Sequence, residues 1–128
     1  MENPNTGTAE ALLGLANTYF DAAYAMDADQ FSTIFHPHAS ITRGDDRGGV
    51  VVTPVAAWLD AVRGMESPHQ TSETRRDELL SIELSGHMAV LKLRLRLPPR
   101  IVTDLLTCLH VNGRWQIVQK VFSAETLP

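Results

Sequence analysis

Asp104 is the polar residue of this sequence whose predicted surroundings most favour chemistry. Downstream of it, Asn112-Gly113 predicts a two-residue hairpin loop, and counting outward from the loop assigns each residue to one face of the hairpin. The pairs predicted on one face are His110 with Trp115, Cys108 with Ile117, Leu106 with Gln119, and Asp104 with Val121. A carboxylate among apolar neighbours has a raised pKa and can act as a general acid or base near neutral pH. We therefore predict a catalytic role for Asp104; the alternative is an ion-paired or solvated position near the end of the sheet.

Two further residues on the predicted face of Asp104 are candidate ligand contacts. Gln119 lies diagonally across the hairpin, where it would orient a ligand carbonyl or hydrogen-bond the carboxylate. Cys108 would line the same pocket, and a nucleophilic role is disfavoured because apolar surroundings raise the pKa of a thiol. The opposite face, which pairs Leu105 with Lys120, is predicted to lie outside the pocket.

The segment FHPHA carries two histidines, His36 and His38, in a His-x-His pattern. Such a pair can bind a metal when a third protein ligand converges on it, and the neighbouring sequence offers none. We predict a proton-transfer or pocket-lining role for His38; the alternative is that His36 closes a helix and His38 starts a strand. The remaining histidines are predicted at the surface: His69, His87 and His110.

Aromatic residues on the predicted helices are candidates for the pocket wall. Tyr19, Tyr24 and Trp58 recur at spacings that also build a core. Ligand sites are mostly apolar with a few placed polar groups, so pocket lining is as well supported as core packing for Tyr19 and Trp58. We predict that both bind the ligand.

Three helices are predicted in the N-terminal half. Apolar residues recur at helical spacing over residues 8–26. Asp27 begins a second helix with a capping-box pattern, and Pro37 ends it. Thr53 is predicted to cap a third helix that has Pro54 at its first position.

From residue 74 onward, the apolar period changes from 3.6 to 2, which is typical of strands. The predicted strands cover residues 39–43, 49–52, 80–84, 89–97, 101–111 and 114–122. Ser85-Gly86 is the predicted loop of the first long hairpin. Its helix-facing pairs are then Leu80 with Leu91 and Ile82 with Ala89, and its outward pairs are Leu79 with Lys92 and Asp77 with Arg94. The fold class is α+β, with three N-terminal helices packed on a twisted antiparallel sheet.

Length and composition limit the classes of protein and partner. The chain has 128 residues, which predicts one domain over residues 1–128. A single cysteine, Cys108, excludes an intrachain disulfide and favours a reducing compartment. The formal net charge is −4 and all 11 basic residues lie from Arg43 onward, a poor balance for nucleic acid. Without an apolar run long enough for a membrane span, we predict a cytoplasmic protein with no membrane partner.

Four segments together carry a family resemblance: YFDAAYAMDADQF, FHPHA, AAWLDAV and TDLLTCLHVNGRWQIVQKVF. They resemble the nuclear transport factor 2-like superfamily over residues 10–123. The nearest group is the bacterial proteins labelled putative lumazine-binding, related to the polyketide-cyclase-like (SnoaL-like) members. The resemblance implies a cystatin-like cone, in which a strongly curved sheet wraps three helices around a central pocket, and dimers that form through the sheet. Fold alone does not decide function within such a superfamily.

The sequence supports two classes of function. The first is a pocket for a small, largely apolar organic molecule, with no cofactor and no metal predicted. Its predicted lining is Tyr19, His38, Trp58, Asp104, Cys108 and Gln119. An enzyme of this class would isomerise, cyclise or dehydrate a substrate beside a carbonyl, with Asp104 moving the proton and a His or Tyr stabilising the oxyanion. The second is a non-catalytic ligand-binding or assembly protein in which Asp104 anchors its strand.

A homodimer is predicted through the outer face of the sheet. That face is too apolar along its middle for water alone, and basic residues supply a polar rim. Its predicted apolar part is Leu79, Val90, Leu105, Thr107 and Val118, and its rim is Lys92, Arg94 and Lys120.

Overall fold

Three helices and six strands make up the computed structural model, which describes residues 4–126. The helices are α1 (Pro4–Ala25), α2 (Ala28–Ser32) and α3 (Val55–Arg63). The strands are β1 (Phe35–Gly44), β2 (Val50–Pro54), β3 (Asp77–Ser85), β4 (Met88–Leu97), β5 (Arg100–Val111) and β6 (Arg114–Thr126). The α+β class, with three helices on one curved six-stranded sheet, is as predicted.

Local sequence signals predict some helix ends correctly and others not. Asp27 caps α2 as predicted, since its side chain accepts a hydrogen bond of 3.1 Å from the backbone N–H of Gln30. α2 nevertheless ends at Ser32, well before Pro37, because the carbonyl of Ile34 accepts a hydrogen bond of 2.8 Å from the N–H of Ile117 and the chain joins the sheet. The N-cap of α3 is Pro54, one residue later than the predicted Thr53, so the helix begins at Val55.

The sheet has the strand order β2-β1-β6-β5-β4-β3. Four of its neighbouring pairs are antiparallel, and β1 pairs with β6 in parallel. The expectation of a wholly antiparallel sheet is therefore wrong at this one junction. Hairpin signals identify only strands that are adjacent in sequence, and β1 and β6 are the first and last strands along the chain.

The loop of the β3–β4 hairpin lies one residue later than predicted, so the pairing partners near the loop differ from the prediction by two positions. Its loop is Gly86-His87, where Gly86 has a φ of +60°, and Ser85 pairs with Met88. A β-bulge between Leu79 and Ser81 then shifts the pairing a second time. The observed pairs are Ile82 with Leu91, Leu84 with Ala89, Leu79 with Leu93, and Asp77 with Leu95. As a result, Leu79 packs against the core and Leu80 is exposed, the reverse of the prediction.

The β5–β6 hairpin follows its predicted register only near the loop. Asn112 and Gly113 have φ values of 52° and 79°, and Cys108 pairs with Ile117 as predicted. Beyond that pair, a β-bulge at Val118 shifts the register by one residue. The pairs after the bulge are Thr107 with Gln119, Leu106 with Lys120, and Asp104 with Phe122. The predicted pairings of Gln119 and Val121 are therefore wrong, and the two residues point away from the core.

The core lies between α1 and the inner face of the sheet. Residues with no exposed surface come from both layers: Leu12, Ala22, Leu91, Leu93, Leu106, Cys108 and Ile117. Among residues 4–126, no helix is long and apolar enough to cross a membrane.

Candidate ligand-binding cavity

A cavity of about 360 Å³ lies between the helices and the inner face of the sheet. Its wall is mostly apolar, with Tyr19, Phe31, Trp58, Val62, Leu95, Val102 and Phe122 among the lining residues. Pro98, Pro99 and Arg100, in the β4–β5 connection, line it as well. Two buried charged side chains, Asp104 and Lys120, complete the lining. The volume and composition are those of a site for a small organic molecule.

The carboxylate of Asp104 is held by Tyr19. Both residues are almost completely buried, with exposed fractions of 0% for Asp104 and 1% for Tyr19. The Tyr19 hydroxyl donates a hydrogen bond of 2.6 Å to Oδ2 of Asp104. Burial, and then the charge of Asp104 and this hydrogen bond, raise the pKa of Tyr19 well above its ordinary value. Tyr19 therefore stays protonated and orients the carboxylate.

Lys120 lies in a cage of aromatic rings. Its Nζ atom is 4.6 Å from the ring centre of Trp58, 5.0 Å from that of Phe122 and 5.5 Å from that of Tyr19. The same atom lies 4.0 Å from Oδ1 of Asp104. Burial lowers the pKa of Lys120, and the charge of Asp104 opposes this effect only in part. The cation is thus stabilised by ring faces and by one distant carboxylate oxygen.

One oxygen of this site lacks a hydrogen bond. Oδ1 of Asp104 is buried and has no hydrogen-bond partner among residues 4–126. The 4.0 Å to Nζ of Lys120 is too long for a hydrogen bond. Because buried polar atoms are nearly always bonded, Oδ1 is free to accept a hydrogen bond from a donor that enters the cavity.

Sequence reasoning missed Lys120 because it assumed an unbroken alternation along β6. The signal was the pair of aromatic residues in that strand. Phe122 is seven positions after Trp115, an odd spacing, so both side chains can pack inward only if a bulge lies between them. The bulge at Val118 does this, and it turns Lys120 into the cavity at the same time.

The structure brings together three of the six predicted site residues. Tyr19, Trp58 and Asp104 all line the cavity. Cys108 lies instead in the solid core, where burial raises the pKa of its thiol to about 12. Gln119 is exposed on the outer face, because the bulge turned it away.

His38 lies outside the cavity lining. Ala39 and Ile41 of β1 face the core, and alternation leaves His38 exposed. Its backbone N–H donates a hydrogen bond of 3.0 Å to Nδ1 of His36, and the two rings are 5.2 Å apart. Within the described part of the chain, no three His, Cys, Asp or Glu side chains are arranged to hold a metal ion.

A second depression of about 540 Å³ lies beside the tip of the β5–β6 hairpin. It is an open groove between α1 and the hairpin, with Leu15, Ile34, His110 and Trp115 in its wall. Its lining contains no buried charged side chain among the residues described. The smaller cavity is therefore the better candidate for a specific polar contact.

The fold is similar to that of solved proteins described as nuclear transport factor 2 (NTF2)-like. An NTF2-like protein of unknown function from Shewanella baltica superposes with a TM-score of 0.86 at 18% identity, over 97% of this chain and 98% of that one. An NTF2-like protein of unknown function from Silicibacter pomeroyi superposes with a TM-score of 0.78 at 21% identity, over 96% of this chain and 100% of that one. A cystatin-like fold protein from Burkholderia xenovorans superposes with a TM-score of 0.69 at 13% identity, over 93% of this chain and 92% of that one.

The family is defined more narrowly by sequence. The model of the family described as "Putative lumazine-binding" matches residues 8–123, and the chain belongs to this family. The predicted resemblance is thereby confirmed. No curated protein matches the chain.

Proposed function

We propose that the cavity binds a small, largely apolar organic molecule through a polar group placed between Asp104 and Lys120. The observation that carries this proposal is the unpartnered Oδ1 of Asp104 in an apolar cavity of about 360 Å³. A ligand donor facing Oδ1 and a ligand acceptor facing Nζ of Lys120 would satisfy both charged groups. The aromatic rings around them would contact the rest of the molecule.

The same geometry supports acid–base chemistry beside a carbonyl group. Asp104 would take or return a proton through Oδ1, while Tyr19 holds Oδ2. Lys120, in place of the predicted His or Tyr, would face the developing oxyanion, where a positive charge stabilises the transition state. Isomerisation, cyclisation and dehydration all require such a proton transfer.

A non-catalytic role is the second candidate. The carboxylate, the ammonium group and the tyrosine hydroxyl already interact with one another, which is also how a buried structural pair is arranged. In that case the cavity would bind a ligand without changing it.

A thermal-shift screen of small carbonyl compounds and heterocycles, with lumazine among them, tests the binding site. The native chain is compared with Asp104→Asn and with Glu83→Gln, an exposed carboxylate on β3 that serves as the matched control. A ligand at 100 times its dissociation constant stabilises the fold by about 2.7 kcal/mol. We expect this stabilisation in the native chain and the control, and much less in Asp104→Asn. A screen without any shift, or equal shifts in all three proteins, would contradict the proposed contact with Asp104.

We also propose a homodimer through the outer face of the sheet. Leu105 and Val121 pair across β5 and β6, and each is 40% exposed there. Val90 and Thr107, paired across β4 and β5, extend this apolar surface. Leu79 and Lys120, which the sequence placed in the dimer surface, are not part of it, because both side chains point inward. Light scattering at micromolar concentration should give twice the chain mass of 14.1 kDa; the monomer mass would contradict the dimer.

A further inference from the structure

The two lysines of the chain lie in opposite environments. Lys92 is exposed on β4, and Lys120 is 7% exposed in the cavity wall. We propose that Lys120 is a nucleophile that forms a reversible imine with an aldehyde or a ketone. This inference rests on the proposed function of the cavity as a small-molecule site, and it names the chemical class of the molecule.

Nζ of Lys120 lies where a carbonyl group bound in the cavity would contact it. The side chain lines the cavity, and the faces of Trp58 and Phe122 flank the nitrogen at 4.6 and 5.0 Å. Among residues 4–126, Asp104 is its one ion-pair partner, at 4.0 Å. A flat carbonyl compound stacked between such rings would have its carbon atom within reach of the nitrogen lone pair.

An imine requires the neutral amine, and the cavity favours that form. Burial removes the ammonium group of Lys120 from water, and the ring faces replace only part of that solvation, so the pKa of Lys120 is lowered. Lysines desolvated in apolar pockets are activated as nucleophiles in this way. Oδ1 of Asp104, which lacks a hydrogen bond to the described residues, lies 4.0 Å from Nζ and would receive the departing proton once the two groups move into hydrogen-bond distance.

The reaction balances with these groups alone. The ammonium group gives one proton to Asp104, and the free amine adds to the carbonyl carbon to form a carbinolamine. The protonated Asp104 returns its proton to the carbinolamine hydroxyl. The carbon–oxygen bond breaks, one water molecule leaves, and a positively charged iminium remains with Asp104 ionised. No oxidant, reductant or further reactant is consumed.

The same surroundings would hold the product. An iminium keeps the single positive charge that the ammonium had, and it stays beside the aromatic rings and the carboxylate. The hydrogen bond from Tyr19 keeps the carboxylate in place on its other oxygen.

Reductive trapping tests the proposal. The full chain is incubated near neutral pH with benzaldehyde or 1-naphthaldehyde and sodium cyanoborohydride, and the adducts are located by peptide mass spectrometry. A trapped imine adds the mass of the aldehyde less one oxygen atom. We expect at least about tenfold more adduct on Lys120 than on Lys92, because only Lys120 lines a cavity that would hold the aldehyde beside its nitrogen. Lys92→Arg should leave the adduct on Lys120 unchanged, and Lys120→Arg should remove it.

Mapping the native chain settles the outcome even if a variant fails to fold. Equal labelling of the two lysines, or labelling of Lys92 and the α-amino group alone, would overturn the proposal. Benzyl alcohol and 1-naphthalenemethanol, which cannot form imines, are tested by thermal shift on the same protein. If they stabilise the native chain while no adduct forms on Lys120, the imine fails and the binding site stands. If neither adduct nor stabilisation is found, both proposals fail.

Discussion

The two ends of the β5–β6 hairpin both face the helices, but one end packs into the solid core and the other lines a cavity. Near the loop, Cys108 and Ile117 pair in a core without exposed surface. Further from the loop, Asp104 pairs with Phe122 beside a cavity of about 360 Å³. The bulge at Val118 separates the two regions. One extra residue therefore divides a strand into a structural part and a part available for binding.

The bulge decides which side chains reach the cavity. Strand residues alternate between faces, so a shift of one position exchanges every inward residue for its neighbour. Without the shift, Gln119 would face the helices and Lys120 would lie on the outer surface. With it, the cavity holds a cation beside Asp104. Each of the following predictions tests one side of this division.

The largest effect is expected from a cavity made in the solid core just beyond the bulge, at Leu106, which pairs with Lys120. Leu106→Ala should lower the free energy of unfolding by about 2 to 5 kcal/mol, because Leu106 has no exposed surface. Leu105→Ala, one residue away and 40% exposed, is the matched control and should cost far less. Urea denaturation measures both. Similar losses in the two variants would mean that this part of β5 does not separate an inner from an outer face.

The charged pair at the cavity end should show strong coupling. Lys120→Met or Asp104→Leu alone should cost about 1 to 3 kcal/mol, because each leaves a buried charged group without its partner. The double variant should be more stable than the sum of the single losses implies, since replacing both members of a buried pair is often neutral. A double-mutant cycle measured by denaturation gives the coupling energy. Additive losses would show that Asp104 and Lys120 do not interact.

The burial of Tyr19, together with the charge of Asp104 and their hydrogen bond, should appear as a pH dependence of the stability. The pKa of Tyr19 is raised in the folded state, so its contribution to stability is fully present below pH 10.0 and is lost as the pH rises above that value. The stability difference between the native chain and Tyr19→Phe should therefore narrow by roughly 1.4 kcal/mol by pH 11. Denaturation of both proteins from pH 7 to pH 11 checks this. A constant difference would contradict the raised pKa.

The smallest effect is expected at the residue that the bulge turned outward. Gln119→Ala should change stability by no more than about 0.5 kcal/mol and leave ligand stabilisation unaltered, because Gln119 is exposed. Lys120→Met, its neighbour in the strand, should reduce ligand stabilisation. Thermal shifts with the compounds found by screening compare the two. A larger loss of ligand stabilisation in Gln119→Ala than in Lys120→Met would favour a β6 strand without the bulge at Val118.

Local sequence signals predicted much of the fold. The cap at Asp27, the Asn112-Gly113 loop and the change of period near residue 74 each depend on neighbouring residues. The parallel pairing of β1 with β6 could not be predicted in this way, because it joins segments far apart in the chain. Such pairing is set by how the helices and the sheet pack together.

The candidate site was predicted in part for the same reason. Asp104 was assigned to the inner face because the loop is short and β5 runs without a break from it. Lys120 was assigned to the outer face because a single bulge changes little in the composition of a strand. The exposed position of His38 depends on the pairing of β1, which its own neighbours do not indicate.

The central claim is that the cavity at Asp104 and Lys120 binds the ligand. The fluorescence of the two tryptophans tests it most directly, because one lies at this cavity and the other at the groove near the hairpin tip. Trp58 lines the cavity, and Trp115 lines the open groove near the hairpin tip. Each compound that raises the melting temperature is titrated into Trp115→Phe, which retains Trp58, and into Trp58→Phe, which retains Trp115. We predict a saturable change in the emission of Trp58 and no change in that of Trp115. A saturable change at Trp115 with none at Trp58 would place the ligand in the groove and contradict a binding site at Asp104 and Lys120.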